Sequence, residues 1–330
     1  MKTLCINMAI SGFLLLLNCV ICLGQKNDAT YTYFNLPAPK DIPTVFASGI
    51  ISTQHNEYNS TFSPDGNAFL YTIANNTFYN RFYTIFICRK VKEKWSSPEI
   101  ASFSGQYSDA DPFFTPDGKG VYFISTRPVT GKTVRTDFDI WYVSYQNETF
   151  GEPQHLDNQI NSSNDELYPS VSARGNLYFA TENENTGYDL MIARYENGQF
   201  RKPTGVSDSI NTDKTEFDAF IAPDESYIIY TSMGGKDNIG SGDLYISFRK
   251  GNYWTTGKSL GNKLNSVHMD QCPMVSPDGK FLFFTSFRDS QPYHFKKPVS
   301  TTAYLKILDS PLNGLGNIFW VDLHNIIDNL

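Results

Sequence analysis

The sequence predicts an all-β chain folded as a single β-propeller of five four-stranded blades, with six blades as the alternative. Three observations predict it. A turn signature recurs five times along the chain, aromatic residues reach 15% with 20 Tyr and 25 Phe, and no segment carries a helical period. Tyr and Phe favour half-buried pleated surfaces, so their excess points to many strands.

The N-terminal segment comes first. Lys2 precedes an apolar run from Ile10 to Leu23, about fourteen residues. A membrane span needs roughly 20, whereas a signal-peptide core is shorter. Residues 1–24 therefore read as a signal peptide cut after Gly24, and the mature chain as exported, periplasmic or secreted, and not membrane-spanning. Cys19 follows Asn18 and Cys22 follows Ile21, which is the wrong context for a lipoprotein. Residues 25–42 read as a loose leader that packs little.

The repeats occupy residues 43–330. The turns are Ser63-Pro64-Asp65-Gly66, Thr115-Pro116-Asp117-Gly118, Ser172-Ala173-Arg174-Gly175, Ala222-Pro223-Asp224-Glu225 and Ser276-Pro277-Asp278-Gly279. Their third positions lie 52, 57, 50 and 54 residues apart, a period that marks propellers and solenoids. Proline presets the first central angle, aspartate bonds back to the turn, and glycine accepts the left-handed position. Arg174 reads as a tolerated replacement of the turn aspartate. A short strand precedes each turn and an aromatic one follows it. A third strand opens at Asp139-Ile140-Trp141, Asp189-Leu190-Met191, Asp243-Leu244-Tyr245 and Asn317-Ile318-Phe319, and a fourth ends at Ile160-Asn161, Ile210-Asn211 or Leu264-Asn265. The last unit stops after its third strand, and residues 45–52 resemble the missing fourth one, with Ile51-Ser52 where Leu264-Asn265 stand. An N-terminal strand is therefore expected to close the ring, leaving only short, protected edges.

Together the Ser-Pro-Asp-Gly turns, the Asp-Ile-Trp or Asp-Leu-Tyr strands and the Leu-Asn linkers resemble the WD-repeat-like β-propellers of the TolB type, over about residues 43–323. That resemblance implies a bacterial envelope protein. Related propellers include scaffolds, binding proteins and sugar-acid lyases. The envelope scaffolds often carry a peptidoglycan-binding domain, and no residues remain here to encode one, so cell-wall anchoring is not expected.

Charge and cysteines narrow the field. A net charge of -7 lacks the basic footprint of a nucleic-acid binder. Beyond the signal only Cys88 and Cys272 remain, which is neither a disulfide scaffold nor a zinc motif; their redox state is left open. No cofactor is expected.

Eight residues before the third turn position, every blade carries an acid: Glu57, Asp109, Glu166, Glu216 and Asp270. They are expected to ring one mouth of the channel. Such a ring would hold calcium or a cationic ligand, but an acid repeated in every blade speaks more for architecture. His55 and His268 precede the first and last acids, which are neighbours after closure. A metal or acid–base role competes with two solvated loop histidines. The connection between the second and third strands of blade five carries an insert, residues 289–316, containing Tyr293, His294, Phe295, Lys296 and Lys297. Long loops of this kind serve as lids or partner surfaces.

No phosphate loop, nucleophile elbow or metalloprotease helix is present. The leading expectation is a monomeric, non-enzymatic propeller that binds a protein or glycan of the envelope. The alternative is a polysaccharide lyase or glycoside hydrolase.

Overall fold

The computed structural model describes residues 33–75, 81–131, 133–157, 159–291 and 294–327. The signal segment and residues 25–32 lie outside the described residues. Five antiparallel sheets follow one another along the chain, each with its first strand innermost. Blade one is Asn56–Phe62, Ala68–Ala74, Tyr83–Val91 and Glu99–Ile100. Blade two is Asp109–Phe114, Gly120–Ser125, Asp139–Gln146 and Gln154–His155. Blade three is Glu166–Val171, Leu177–Asn183, Gly187–Ala193 and Thr204–Gly205. Blade four is Thr215–Ile221, Tyr227–Met233, Asp243–Lys250 and Lys258–Ser259. Blade five is Asp270–Val275, Phe281–Ser286 and Asn317–Asp322, completed by Thr44–Val45. The five-bladed propeller expected from the repeats is the fold observed. Among the described residues, no helix is long and apolar enough to cross a membrane.

Apolar layers between blades supply the cohesion. Leu70, Ile85, Phe123 and Val143 pack between blades one and two. Leu190, Ile221, Ile228 and Tyr230 do so between blades three and four. Burying each such side chain contributes about 1.5–3 kcal/mol.

The Ile-Asn and Leu-Asn pairs lie in turns rather than strands, and their asparagines act as clips. Asn161 accepts from the Ile140 amide and donates to its carbonyl. Asn211 treats Leu190 in the same way, and Asn265 treats Leu244. In blade five Ser52 takes the place of the asparagine, donating to the Ile318 carbonyl at 3.0 Å and accepting from its amide at 3.2 Å. Thr44 pairs with Trp320 and Val45 with Phe319. Closure is therefore made both by ladder hydrogen bonds and by a side-chain clip.

The leader departs from expectation over its described part. Tyr33 and Phe34 are buried. Tyr33 packs edge-on against Phe62 of blade one and against Phe281 and Phe283 of blade five, and its hydroxyl donates to Asp278. Phe34 stacks on Trp95 with centroids 4.3 Å apart. These two rings cover the seam where first and last blades meet.

Arg174 is likewise more than a tolerated change. In three other blades the turn Ser or Thr donates to the turn Asp, as Ser63 does to Asp65. Ser172 donates instead to Glu225, which occupies the turn-glycine position of blade four at φ 61°. Glu225 is buried, accepts from Asn176 and Arg249 and lies 3.7 Å from Arg174. The missing aspartate of one blade and the missing glycine of the next form a single cross-blade linkage.

Candidate functional site at the polar mouth

Each repeated acid stands at the start of an innermost strand, as expected, but its side chain is buried and turned to its own chain. Glu57 accepts from the amide and hydroxyl of Thr53. Glu166 does the same with Ser162, Glu216 with Thr212, and Asp270 with Ser266. Blade two has Gly105 at the corresponding place, and there Asp109 takes Ser125 and Arg127 instead, the latter at 2.7 Å. Burial pushes Glu57 and Glu166 up to about 7. None of the five acids borders the bore cavity. Four of the five are engaged by their own loops and Asp109 is ion-paired to Arg127, which does not fit a shared calcium. Among the described residues, no three His, Cys, Asp or Glu side chains cluster as metal ligands would.

His55 is exposed and His268 half-buried. Their backbone amides donate to Thr53 and Ser266 of the same latches, and neither ring lines the cavity. His155 bonds Asp139 at 2.8 Å in the outer half of blade two. The insert of blade five carries an unexpected helix, Thr301–Leu308, capped by Ser300, none of whose residues is buried. Tyr293 lies outside the described residues; His294, Lys296 and Lys297 are exposed and Phe295 half-buried. The base of the insert is part of the fold, because the Gly316 amide donates to Asn56 and its carbonyl accepts from Glu57.

Two places after each acid stand Asn59, Asp111, Tyr168, Asp218 and Cys272, of which Asp111, Asp218 and Cys272 line the bore cavity. All five have left-handed backbone, with φ between 46° and 55°. They sit where each inner strand slips register. A bulge inserts a residue and re-aims its side chain. Asn and Asp tolerate this conformation; for Tyr and Cys it is strained. Neighbouring blades are tied through these side chains. Asn59 donates to Asp111 at 3.3 Å, the Tyr168 amide donates to Asp111 at 3.1 Å, and the Cys272 thiol donates to Asp218 at 3.1 Å. The Tyr168 hydroxyl reaches from blade three to the Pro273 carbonyl of blade five at 2.8 Å, so this side chain crosses the bore.

On the side of the acid loops lies a cavity of about 480 Å³ lined by Tyr58, Arg81, Tyr83, Asp111, Phe138, Asp165, Tyr188, Phe217, Asp218 and Cys272, among others. Burial pushes Asp111 up to about 6. Burial and the Asp111 charge together push Asp218 up to about 8. At the other end, Pro64, Pro116, Pro223 and Pro277 of the turns, with Phe113 and Phe220, line a second hollow of about 330 Å³. One mouth is therefore acidic and aromatic, the other mainly apolar. Cys88 and Cys272 are both buried and not joined.

No protein-family model matches this sequence, and no curated protein matches it either. Solved structures do. A protein described as a glycoside hydrolase is 13% identical over 81% of this chain and 97% of its own, with a TM-score of 0.51. A second structure, described as an RGII complex, has the same identity and coverage with a TM-score of 0.50. The putative TolB from Agrobacterium tumefaciens is 14% identical over 82% of this chain and 78% of its own, at 0.49. The likeness is one of fold.

The bore residues could have been sought from the sequence. Position two after the acid reads Asn, Asp, Tyr, Asp, Cys across the blades, so it varies where the acid itself is constant. The signal that they face inward is the bulge, which has no residue signature of its own here.

Proposed function

We propose that the chain is an exported, monomeric, non-enzymatic propeller of the TolB-like kind that captures a glycan at its polar mouth. The observation that carries this reading is the cavity itself. Its volume lies within the roughly 300–1,000 Å³ of small-ligand sites. Tyr58, Tyr83, Phe138 and Tyr188 offer ring faces for the C–H faces of a sugar, and Asp111, Asp165 and Arg81 offer partners for its hydroxyls. The insert, with exposed Lys296, Lys297, Tyr304 and Leu305, provides a second contact surface beside the loop that leads into blade one. The experiment is retention of the purified mature protein on a panel of plant, algal and bacterial polysaccharides, read together with assays for new reducing ends and unsaturated products. Retention without turnover supports the proposal.

One observation favours a second reading, glycoside hydrolysis. Asp111 and Asp218 both border the cavity, burial raises the affinity of both for the proton, and a hydrolase needs one carboxyl group as acid and another as base or nucleophile. New reducing ends that disappear in Asp218→Asn would establish it in place of binding.

A further inference from the structure

We propose that the polar mouth takes the end of a glycan chain rather than an internal stretch, and that Tyr168, as the floor of the site, sets this preference. The inference rests on the reading of this mouth as a glycan site and names the part of the glycan it holds.

The bore is shut part-way along by two contacts between blades that are not neighbours. The Tyr168 hydroxyl, from blade three, donates to the Pro273 carbonyl of blade five at 2.8 Å. Phe113 of blade two and Phe220 of blade four meet with ring centroids 6.4 Å apart. Each pair skips the blade between, so both contacts reach across the bore. Pro273 stands between Cys272, which lines the polar hollow, and Met274, which lines the apolar one. Asp111 and Phe113 divide in the same way, as do Asp218 and Phe220. Tyr168 is 4% exposed and borders neither hollow. The two hollows have no lining residue in common among those described. The polar one is therefore blind.

The backbone agrees with a floor held in place on purpose. Tyr168 sits at φ 52°, a costly conformation for an aromatic residue. Such strain persists where the surroundings fix it, and it gathers at ligand sites. The walls complete the argument. They come from every blade, with Tyr58 from the first, Asp111 from the second, Tyr188 from the third, Phe217 from the fourth and Gln271 from the fifth. Holding an internal stretch takes a groove open at two sides or a channel open at two ends. A hollow walled by five blades and closed below is neither, so a chain enters it by an end or by the tip of a branch.

The test uses three linear, soluble polysaccharides, polygalacturonan, alginate and pullulan, each immobilised to retain the mature protein. Intact and partially hydrolysed samples of the same polysaccharide then compete at equal mass, because hydrolysis multiplies ends while leaving the residues unchanged. Cutting the chains about tenfold in mean length should lower the mass needed for half-displacement about tenfold, an apparent gain of roughly 1.4 kcal/mol. Size-fractionated oligosaccharides give the second readout. Their affinity should stop rising at a short length in the parent and in Tyr168→Phe, which keeps the ring. In Tyr168→Ala that limit should move to longer chains; should this variant not fold, the displacement ratio of the parent decides alone. Equal displacement per mass, or better displacement by the intact chain, overturns the inference and leaves the glycan reading standing. A limit unmoved in folded Tyr168→Ala overturns the role of Tyr168. Failure of the protein to be retained on these three and on the wider panel overturns the glycan reading, and the inference falls with it.

Discussion

Replacing Tyr33 by alanine removes a ring that touches both sides of the closure seam. The ring is 3% exposed and packs at 4.8 Å from Phe62, 5.6 Å from Phe281 and 5.7 Å from Phe283. Truncating a buried aromatic to alanine costs about 3–5 kcal/mol through lost transfer energy and the cavity left behind. Unfolding entropy near 2.1 cal/mol/K per residue gives about 0.6 kcal/mol/K for a chain of this size, so the melting temperature should fall by about 5–8 °C. Differential scanning calorimetry of the mature protein reads this directly. Tyr33→Phe keeps the ring and loses the bond to Asp278, about 1 kcal/mol and about 2 °C. Tyr253 is 62% exposed, and Tyr253→Ala should stay within about 0.5 kcal/mol of the parent. A Tyr33→Ala protein melting within a degree of wild type would refute the seam argument, because it would show that the rings cover the junction without stabilising it.

Three further outcomes follow from the same structure. Glu166→Ala and Glu216→Ala should each destabilise by about 1–3 kcal/mol, since both leave a loop amide and hydroxyl unpaired; urea melts measure this, and calcium or EDTA should leave the wild-type melting temperature unmoved. Glu225→Gly restores the turn glycine and relieves a strained backbone of about 1–3 kcal/mol, yet it strands Arg249, Ser172 and Asn176. Breaking a buried pair costs about 3–5 kcal/mol, so chemical denaturation should show net destabilisation, and a gain would contradict the linkage. The third concerns pH. Asp111 and Asp218 hold protons in the folded state that the unfolded chain releases near pH 4, so the native state binds more protons from there up to about 8. Their contribution to stability therefore falls as pH rises through that window. Glu57 and Glu166 act with the same sign, so Asp111→Asn with Asp218→Asn should flatten the decline between pH 5 and 8 without abolishing it. Parallel slopes would count against the assignment.

What the sequence made legible was whatever local chemistry encodes. The Ser-Pro-Asp-Gly turns recur because a tight turn needs those residue types, and their spacing led to the blade count. Ser52 could be matched to Asn265 because Ile51-Ser52 stands where Leu264-Asn265 stands, though its partner Ile318 shows only in the fold. Tyr33 and Phe34 escaped notice because a segment used once has no period, and its partners lie in blades one and five. The helix at Thr301–Leu308 is short and buries nothing, so it leaves no apolar stripe to read. The acids were correctly placed at the starts of the inner strands, but which way a side chain turns there depends on the bulge two residues later. That bulge hands the bore to Asp111 and Asp218 and leaves Glu57 and its counterparts to their loops. Arg174 looked neutral because its partner Glu225 belongs to the next repeat.

The central claim is that the polar mouth holds the ligand, and blocking it is the most direct test. Tyr188 and Met233 both line the cavity, whereas Pro277 lines the opposite hollow. Affinity for the retained glycan should fall at least tenfold, roughly 1.4 kcal/mol, in Tyr188→Ala and in the space-filling Met233→Trp, with melting temperatures held. Pro277→Ser should bind as the wild type does. Undiminished affinity in both Tyr188→Ala and Met233→Trp would place the ligand elsewhere and contradict the account.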